Sequence, residues 1–194
     1  MSDEKRIAGE YEIKQAIHIG DREIVFGEDS KQPDKVSYLV GDYYCNDLFG
    51  SYQNTVAGSD YLEMMQEFLD RVSLQIESLR TEISQTDISH EPILLKDCIP
   101  DDRSKSIKGK VIAIKADCLR PEYRRAASQL YLVTGGHGAQ GNSRGNAVFC
   151  DNLHSGEHTR FERYDVMGVV RADCLPEWAK LKAHEMLASN TNPI

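Results

Sequence analysis

Long apolar runs are missing from this 194-residue chain. Its hydrophobic residues, 40% of the total, come in stretches of a handful, far short of the ~20 that a membrane-spanning helix needs. The charged start, Met1-Ser2-Asp3-Glu4-Lys5-Arg6, leads into no apolar segment of the kind a secretory signal requires. The expectation is a cytoplasmic protein with no membrane partner. Cysteine is sparse: Cys45, Cys98, Cys118, Cys150 and Cys174 stand far apart and never as Cys-x-x-Cys. That pattern fits reduced thiols and argues against a disulfide framework or a ribbon-type zinc site. No P-loop, no Gly-x-Ser-x-Gly elbow and no His-Glu-x-x-His helix occurs. None of those nucleotide, acyl-transfer or zinc-protease chemistries has a motif here, and no cofactor is expected.

What is present is enough chain for one large domain or two small ones, with a charge that changes along its length. The net charge is -8; residues 1–100 hold 9 Lys/Arg against 20 Asp/Glu (net -11), and residues 101–194 hold 14 against 11 (net +3). Two surfaces with different partners are the functional reading of this asymmetry, and plain solubility of the acidic half is the simpler one.

The N-terminal stretch alternates in the manner of strands. Tyr11–Ile17, a Gly20-Asp21 turn and Glu23–Gly27 predict a hairpin, and Lys35–Tyr44 and Leu48–Val56, on either side of a break at Asn46-Asp47, predict a second pair. From Asp60 the period becomes helical: Tyr61, Met65, Phe68, Val72, Ile76, Leu79 and Ile83 form one stripe, and Asp60 with Glu63 makes a capping box. The opposite face carries Glu63, Glu67, Asp70 and Glu77, an acidic surface that is solvated or meets a basic partner. Residues 84–108 are polar, with one short apolar run at Ile93-Leu94-Leu95, and read as a linker. Strands are predicted at 110–115, 129–134, 146–152 and 164–171, with an irregular or short helical segment at 120–127 and a final helix opening at Pro176. The fold class is α+β in two modules: a four-stranded meander plus long amphipathic helix over 1–83, a linker over 84–108, and a mixed sheet plus terminal helix over 109–194.

Candidate chemistry gathers in the second module. Gly136-His137-Gly138-Ala139-Gln140-Gly141 matches Gly-x-Gly-x-x-Gly after a predicted strand, but residues 142–150 that follow are glycine and β-formers rather than a helix. A dinucleotide turn needs the helix N-terminus. The remaining functional reading is a binding loop whose backbone N–H groups and Arg144 face an anion or a partner. Arg124, Arg125, Arg144, Arg160 and Arg163 surround it, interleaved with Tyr123, Phe161 and Tyr164. Arginine with aromatics is the composition of a nucleic-acid surface or a protein hot spot, although Arg160, Glu162, Arg163 and Asp165 suit cross-strand ion pairs equally well. Cys150, His154 and His158, with His137 near in sequence, are zinc-type ligands whose spacing matches no established pattern. The partner-binding set is therefore Gly136, Gly138, Arg124, Arg125, Arg144, Arg160, Arg163 and Tyr164.

The run Tyr123-Arg124 and Gln129 to Gly138, followed by Arg144 to Phe149, Gly156 to Gly168 and Leu175-Pro176-Glu177-Trp178, resembles a small domain. That domain belongs to accessory proteins of conjugative and phage-like mobile elements of gut Firmicutes. Tyr11-Glu12-Ile13, Ile19 to Val25 and Asn46 to Phe49 are similar to a second module of the same elements, so the resemblance covers most of the chain. Accessory proteins of this kind often act against host defence, anti-CRISPR proteins among them. The resemblance thus implies a non-enzymatic inhibitor that binds a host effector nuclease or its nucleoprotein complex, with RNA or DNA contact through the C-terminal module. No catalytic residues come with it. The rival expectation is a metal-dependent nucleic-acid-processing enzyme built on Cys150, His154 and His158.

Overall fold

The computed structural model describes residues 5–29, 31, 36–45, 49–85 and 91–190, and the chain divides into one unit over 1–86 and another over 87–194. The break expected at Asn46-Asp47 lies outside the described residues. No helix among them is long and apolar enough to cross a membrane.

The first unit is an antiparallel meander in the order β1 (Ile7–Ala8), β2 (Tyr11–Ile19), β3 (Arg22–Asp29), β4 (Ser37–Cys45) and β5 (Gly50–Gly58), followed by α1 (Tyr61–Gln85). The four predicted strands are there, joined by the two-residue β1, which is too short to leave a periodic trace. Gly20 turns the first hairpin at φ +65°, a conformation that favours glycine. Asp60 caps α1 by accepting from the N–H groups of Leu62 at 2.8 Å and Glu63 at 3.0 Å. Met64 and Phe68 of α1 pack on Ile24, Phe26 and Val40 of the sheet. Burying a side chain the size of Phe68 contributes roughly 1.5–3 kcal/mol.

In the second unit the strands β6 (Cys98–Pro100), β7 (Val111–Ile114), β8 (Leu130–Gly135), β9 (Ala147–Asn152), β10 (His158–Glu162) and β11 (Val166–Val170) assemble in the order β10-β9-β8-β7-β11-β6. Every pairing is antiparallel, so the expected mixed sheet is corrected. A parallel pair requires a long, usually helical, crossover, whereas the helix before β8 is only α2 (Ala126–Gln129). The terminal helix α3 spans Glu177–Asn190, with Pro176 just before it, as expected.

A three-residue turn, Arg163–Asp165, joins β10 to β11, although β9, β8 and β7 stand between them in the sheet. Four Cα steps reach about 14 Å at most, and a flat sheet would put those strands about 19 Å apart. The sheet therefore curls. One face carries Ile112, Ile114, Tyr131, Val133, Val148, Cys150 and Val166, closed over by Ile107 and Ala139. The other face, with Ala113, Leu130 and Leu132, is covered by Ala179 and Ala183 of α3.

The stretch 84–108, read from sequence as a linker, supplies parts of this second unit from residue 91 onward. Ile93 and Cys98 join the α3-side core and Ile107 joins the other, while Cys98–Pro100 forms the edge strand β6. Gln129, fully buried, fastens the segment: its Oε1 accepts from Ile93 N–H at 2.8 Å, and its Nε2 donates to Ile93 O at 3.2 Å and Ile114 O at 3.3 Å.

Candidate functional site

Two loops of the second unit, 101–110 and 135–146, run side by side and are laced together by their backbones. Ile107 N–H donates to Ala139 O at 2.8 Å and Asn142 N–H to Arg103 O at 2.8 Å, while at the root of the pair Gly109 N–H donates to Val133 O at 2.8 Å. Two acidic residues shape the outgoing turn. Asp101 accepts from Arg103 N–H at 3.2 Å, and Asp102 accepts from the Ser104 hydroxyl at 2.7 Å and its N–H at 2.9 Å. Those bonds hold Arg103 at φ +61°, a position that costs a non-glycine residue roughly 1–2 kcal/mol.

Arg163 locks the pair. It is 2% exposed; its Nε donates to Asp101 Oδ2 at 2.6 Å and its Nη2 to Asp101 Oδ1 at 2.5 Å and Lys105 O at 3.1 Å. Its Nη1 donates to Gly138 O. One guanidinium thus ties the β10–β11 turn to both loops, a use of the planar fork that lysine cannot reproduce. The same guanidinium holds the Asp101 carboxyl below the usual carboxylate range, and the Ser104 hydroxyl and N–H hold that of Asp102 below it too. The reading of Arg163 as a partner contact is corrected: a side chain this enclosed is structural.

Gly136 and Gly138 have a structural role of their own. A Cβ on Gly136 would stand 2.2 Å from Ala147 O, and one on Gly138 would stand 2.2 Å from Asn146 O. Glycine is required there because the loop presses on the backbone entering β9, and Gly138 itself is buried.

The laced loops display a set of cations. Arg103, Lys105, Lys108, Lys110 and Arg144 are all exposed, and no ion pair among the described residues involves any of them. Arg103 donates to the Asn146 side chain, placing it beside the stretch that carries Arg144. Asp101 is neutralised by Arg163, which leaves Asp102 as the other carboxylate of the outgoing turn. The lysines and Arg103 were missed in sequence because their stretch reads as linker. The run Lys105, Lys108, Lys110 inside a segment that also holds the buried Ile107 was the available signal.

The remaining candidates disperse. Arg160 is exposed and pairs with Glu162. Tyr164 is 59% exposed, and its carbonyl accepts from Lys115 Nζ at 2.5 Å. Arg124, exposed, donates to Leu119 O at 3.2 Å. Arg125 is half-buried at the start of α2, with Nε and Nη1 enclosed and without a hydrogen-bond partner. Neither Arg124 nor Arg125 makes any of the bonds that lace the loops. On α1, Glu67 is engaged by Arg71 at 2.7 Å and Asp70 accepts from Gln66 at 2.8 Å, while Glu63 remains exposed.

Strand alternation separates the zinc-type trio. Cys150 is fully buried in the core opposite α3, and burial pushes its thiol up to about 12. Its neighbour in sequence, Asp151, points the other way, meeting His158 Nδ1 at 2.6 Å. His154 meets the edge of Trp178, a residue of the α3-side core, with ring centroids 6.2 Å apart. Cys150 and the two histidines thus lie on opposite sides of the sheet. The exposed thiol of Cys118 is also pushed up, to about 11, by burial and then by Asp165, whose Oδ1 lies 3.5 Å away. Both thiols are therefore held in the protonated, poorly nucleophilic form.

No family model matches the chain, and neither a curated protein nor a solved structure matches it significantly.

Proposed function

We propose that this is a non-enzymatic binding protein that engages a nucleic acid or nucleoprotein through the cationic double loop of its C-terminal unit. The setting implied by the sequence resemblance is counter-defence by a mobile element. The partner is then a host effector nuclease with its guide RNA, engaged at the phosphates of that RNA.

One observation carries the reading: Arg103, Lys105, Lys108, Lys110 and Arg144 stand exposed, outside any ion pair among the described residues, on a pair of loops that Arg163 ties together. Surface cations in monomeric proteins are commonly interspersed with acids; here the turn's acids are spent on internal bonds. Preorganised cations facing a phosphate backbone release its condensed counterions, so affinity must fall with salt by about 0.7–0.9 log units per log unit for each phosphate neutralised.

The test is binding of labelled oligonucleotides and of the duplex of the same sequence across a salt series. Lys105→Ala/Lys108→Ala/Lys110→Ala should reduce the magnitude of the salt slope by about 2–3, in proportion to the contacts removed. An unchanged slope with unchanged affinity removes the double loop as the site.

A further inference from the structure

The sheet continues from the double loop into a surface of different chemistry. On the face of β9 and β10 turned away from Cys150, Phe149 is paired across to Arg160, and Asp151 to His158. Phe149 is 39% exposed, large for an aromatic on a central strand. Its ring lies nearly parallel to that of His158, with centroids 6.0 Å apart and planes 15° off. Asp151 holds the exposed histidine through Nδ1 at 2.6 Å. On the other side of Phe149 the partner in the sheet is Gly135, which carries no side chain, and the space a Cβ would occupy there has nothing within 4 Å. The two rings are therefore held nearly parallel and stacked against each other, with open space at Gly135 on the far side of Phe149 and Arg160 opposite it on β10. The carboxylates of this face are engaged, Asp151 by His158 and Glu162 by Arg160.

The double loop ends where this surface begins. Asn146, which accepts from Arg103, lies three residues before Phe149, about 10 Å along an extended chain. Arg144 lies two residues further back. Exposed cations and the Phe149 face thus follow one another where the loop 135–146 runs into β9.

We propose that the outer face of β9–β10 is a stacking platform for the bases of a single-stranded nucleic acid, with Phe149 and His158 receiving bases while Arg144 and Arg103 hold the phosphates. This rests on the polyanion reading of the double loop and narrows it. A duplex keeps its base faces inside the stack and satisfies cations alone; unpaired bases also use the rings. A protein partner would meet the same aromatics, but it would not explain the run of unpaired cations leading to them.

The experiment is fluorescence anisotropy with labelled single-stranded oligo(U) and oligo(dT), with a duplex of matched length, and with heparin. Both single strands should bind at least ~10-fold tighter than the duplex. Phe149→Ala and, separately, the exposed His158→Ala should each lower single-strand affinity on the order of 10-fold, with duplex and heparin affinity unchanged. Phe149→Trp should retain or strengthen single-strand binding. His158→Ala, being exposed, gives the reading even if Phe149→Ala does not fold. Equal affinity for single strands and duplex, with the ring variants silent, overturns the platform and leaves the polyanion site standing. Absence of binding to every probe overturns the polyanion site and the platform with it. Preference between the uridine and thymidine strands assigns RNA or DNA.

Discussion

Arg163 and Asp101, 62 positions apart in sequence, meet in a two-pronged ion pair of 2.5 and 2.6 Å at the point where the curled sheet of the C-terminal unit closes. Around that pair the molecule separates arginines that build from arginines that are displayed.

Removing the builder is costly. Arg163→Ala deletes the bonds to Asp101, Lys105 O and Gly138 O and strands a half-buried carboxylate, a change that typically costs about 3–5 kcal/mol. Arg163→Lys should recover only part, because an ammonium cannot span both oxygens of Asp101 and reach the two carbonyls. Arg144→Ala and Arg160→Ala, both at exposed positions, should each change stability by no more than about 1 kcal/mol. Chemical unfolding of the four variants, followed on the transition of the C-terminal unit, checks the ranking. Equal losses for Arg144 and Arg163 would contradict it.

The same pair sets an acid limit. In the folded chain the Asp101 carboxyl is depressed by the Arg163 guanidinium, so its contribution is fully present above the unfolded value of about 4. It is lost as pH falls from there through the lower folded value. The C-terminal unit should therefore lose stability from about pH 4 downward, and Asp101→Asn should flatten that part of the profile while lowering stability at neutral pH. Thermal unfolding between pH 7 and pH 2.5 reads both effects.

Much of the architecture was legible because period carries it. The stripe from Tyr61 to Ile83 and the alternation on either side of Gly20 report a helix and a hairpin directly, and α1 and the β2–β3 pair stand where they were expected. What the sequence hid was placed by long-range contact. Cys98–Pro100 is a three-residue edge strand among charges and prolines, and it shows itself only through its partner β11 and through Gln129 holding Ile93. Arg163 is indistinguishable in sequence from Arg160, three residues earlier, yet one is enclosed and the other exposed. Local chemistry drew attention to these arginines and glycines and could not say which of them face inward.

The boundary of the second unit follows from those hidden contacts. A fragment of residues 87–194 keeps β6, Ile93, Cys98, Ile107 and Asp101, and should unfold cooperatively. One beginning at 109 lacks all of them. It would leave Arg163 without its carboxylate and uncover both cores, and should be recovered only as an aggregated or uncooperative species. Circular dichroism melts of the two fragments decide the matter. A cooperative melt of 109–194 would show that the 91–108 stretch is dispensable.

The glycine loop gives a last, sharper discrimination, because Gly135, Gly136 and Gly138 face different surroundings. Gly138→Ala drives a methyl to within 2.2 Å of Asn146 O, and the obstacle is backbone, which cannot swing aside. Overpacking of that kind costs about 1–3 kcal/mol, and here it also pushes away the carbonyl that Arg163 grips. Gly136→Ala meets Ala147 O at 2.2 Å and adds the strain of φ +98°, a further 1–2 kcal/mol or so. Gly135→Ala meets nothing within 4 Å and has no positive φ to relieve, so its stability should stay within about 0.5 kcal/mol of the parent. A nucleotide-binding turn would rank the three by ligand affinity and leave the unliganded stability of Gly138→Ala nearly intact. Unfolding midpoints of the unliganded variants in the order Gly135→Ala well above Gly138→Ala and Gly136→Ala would establish that Gly136 and Gly138 serve close backbone approach to the entry of β9.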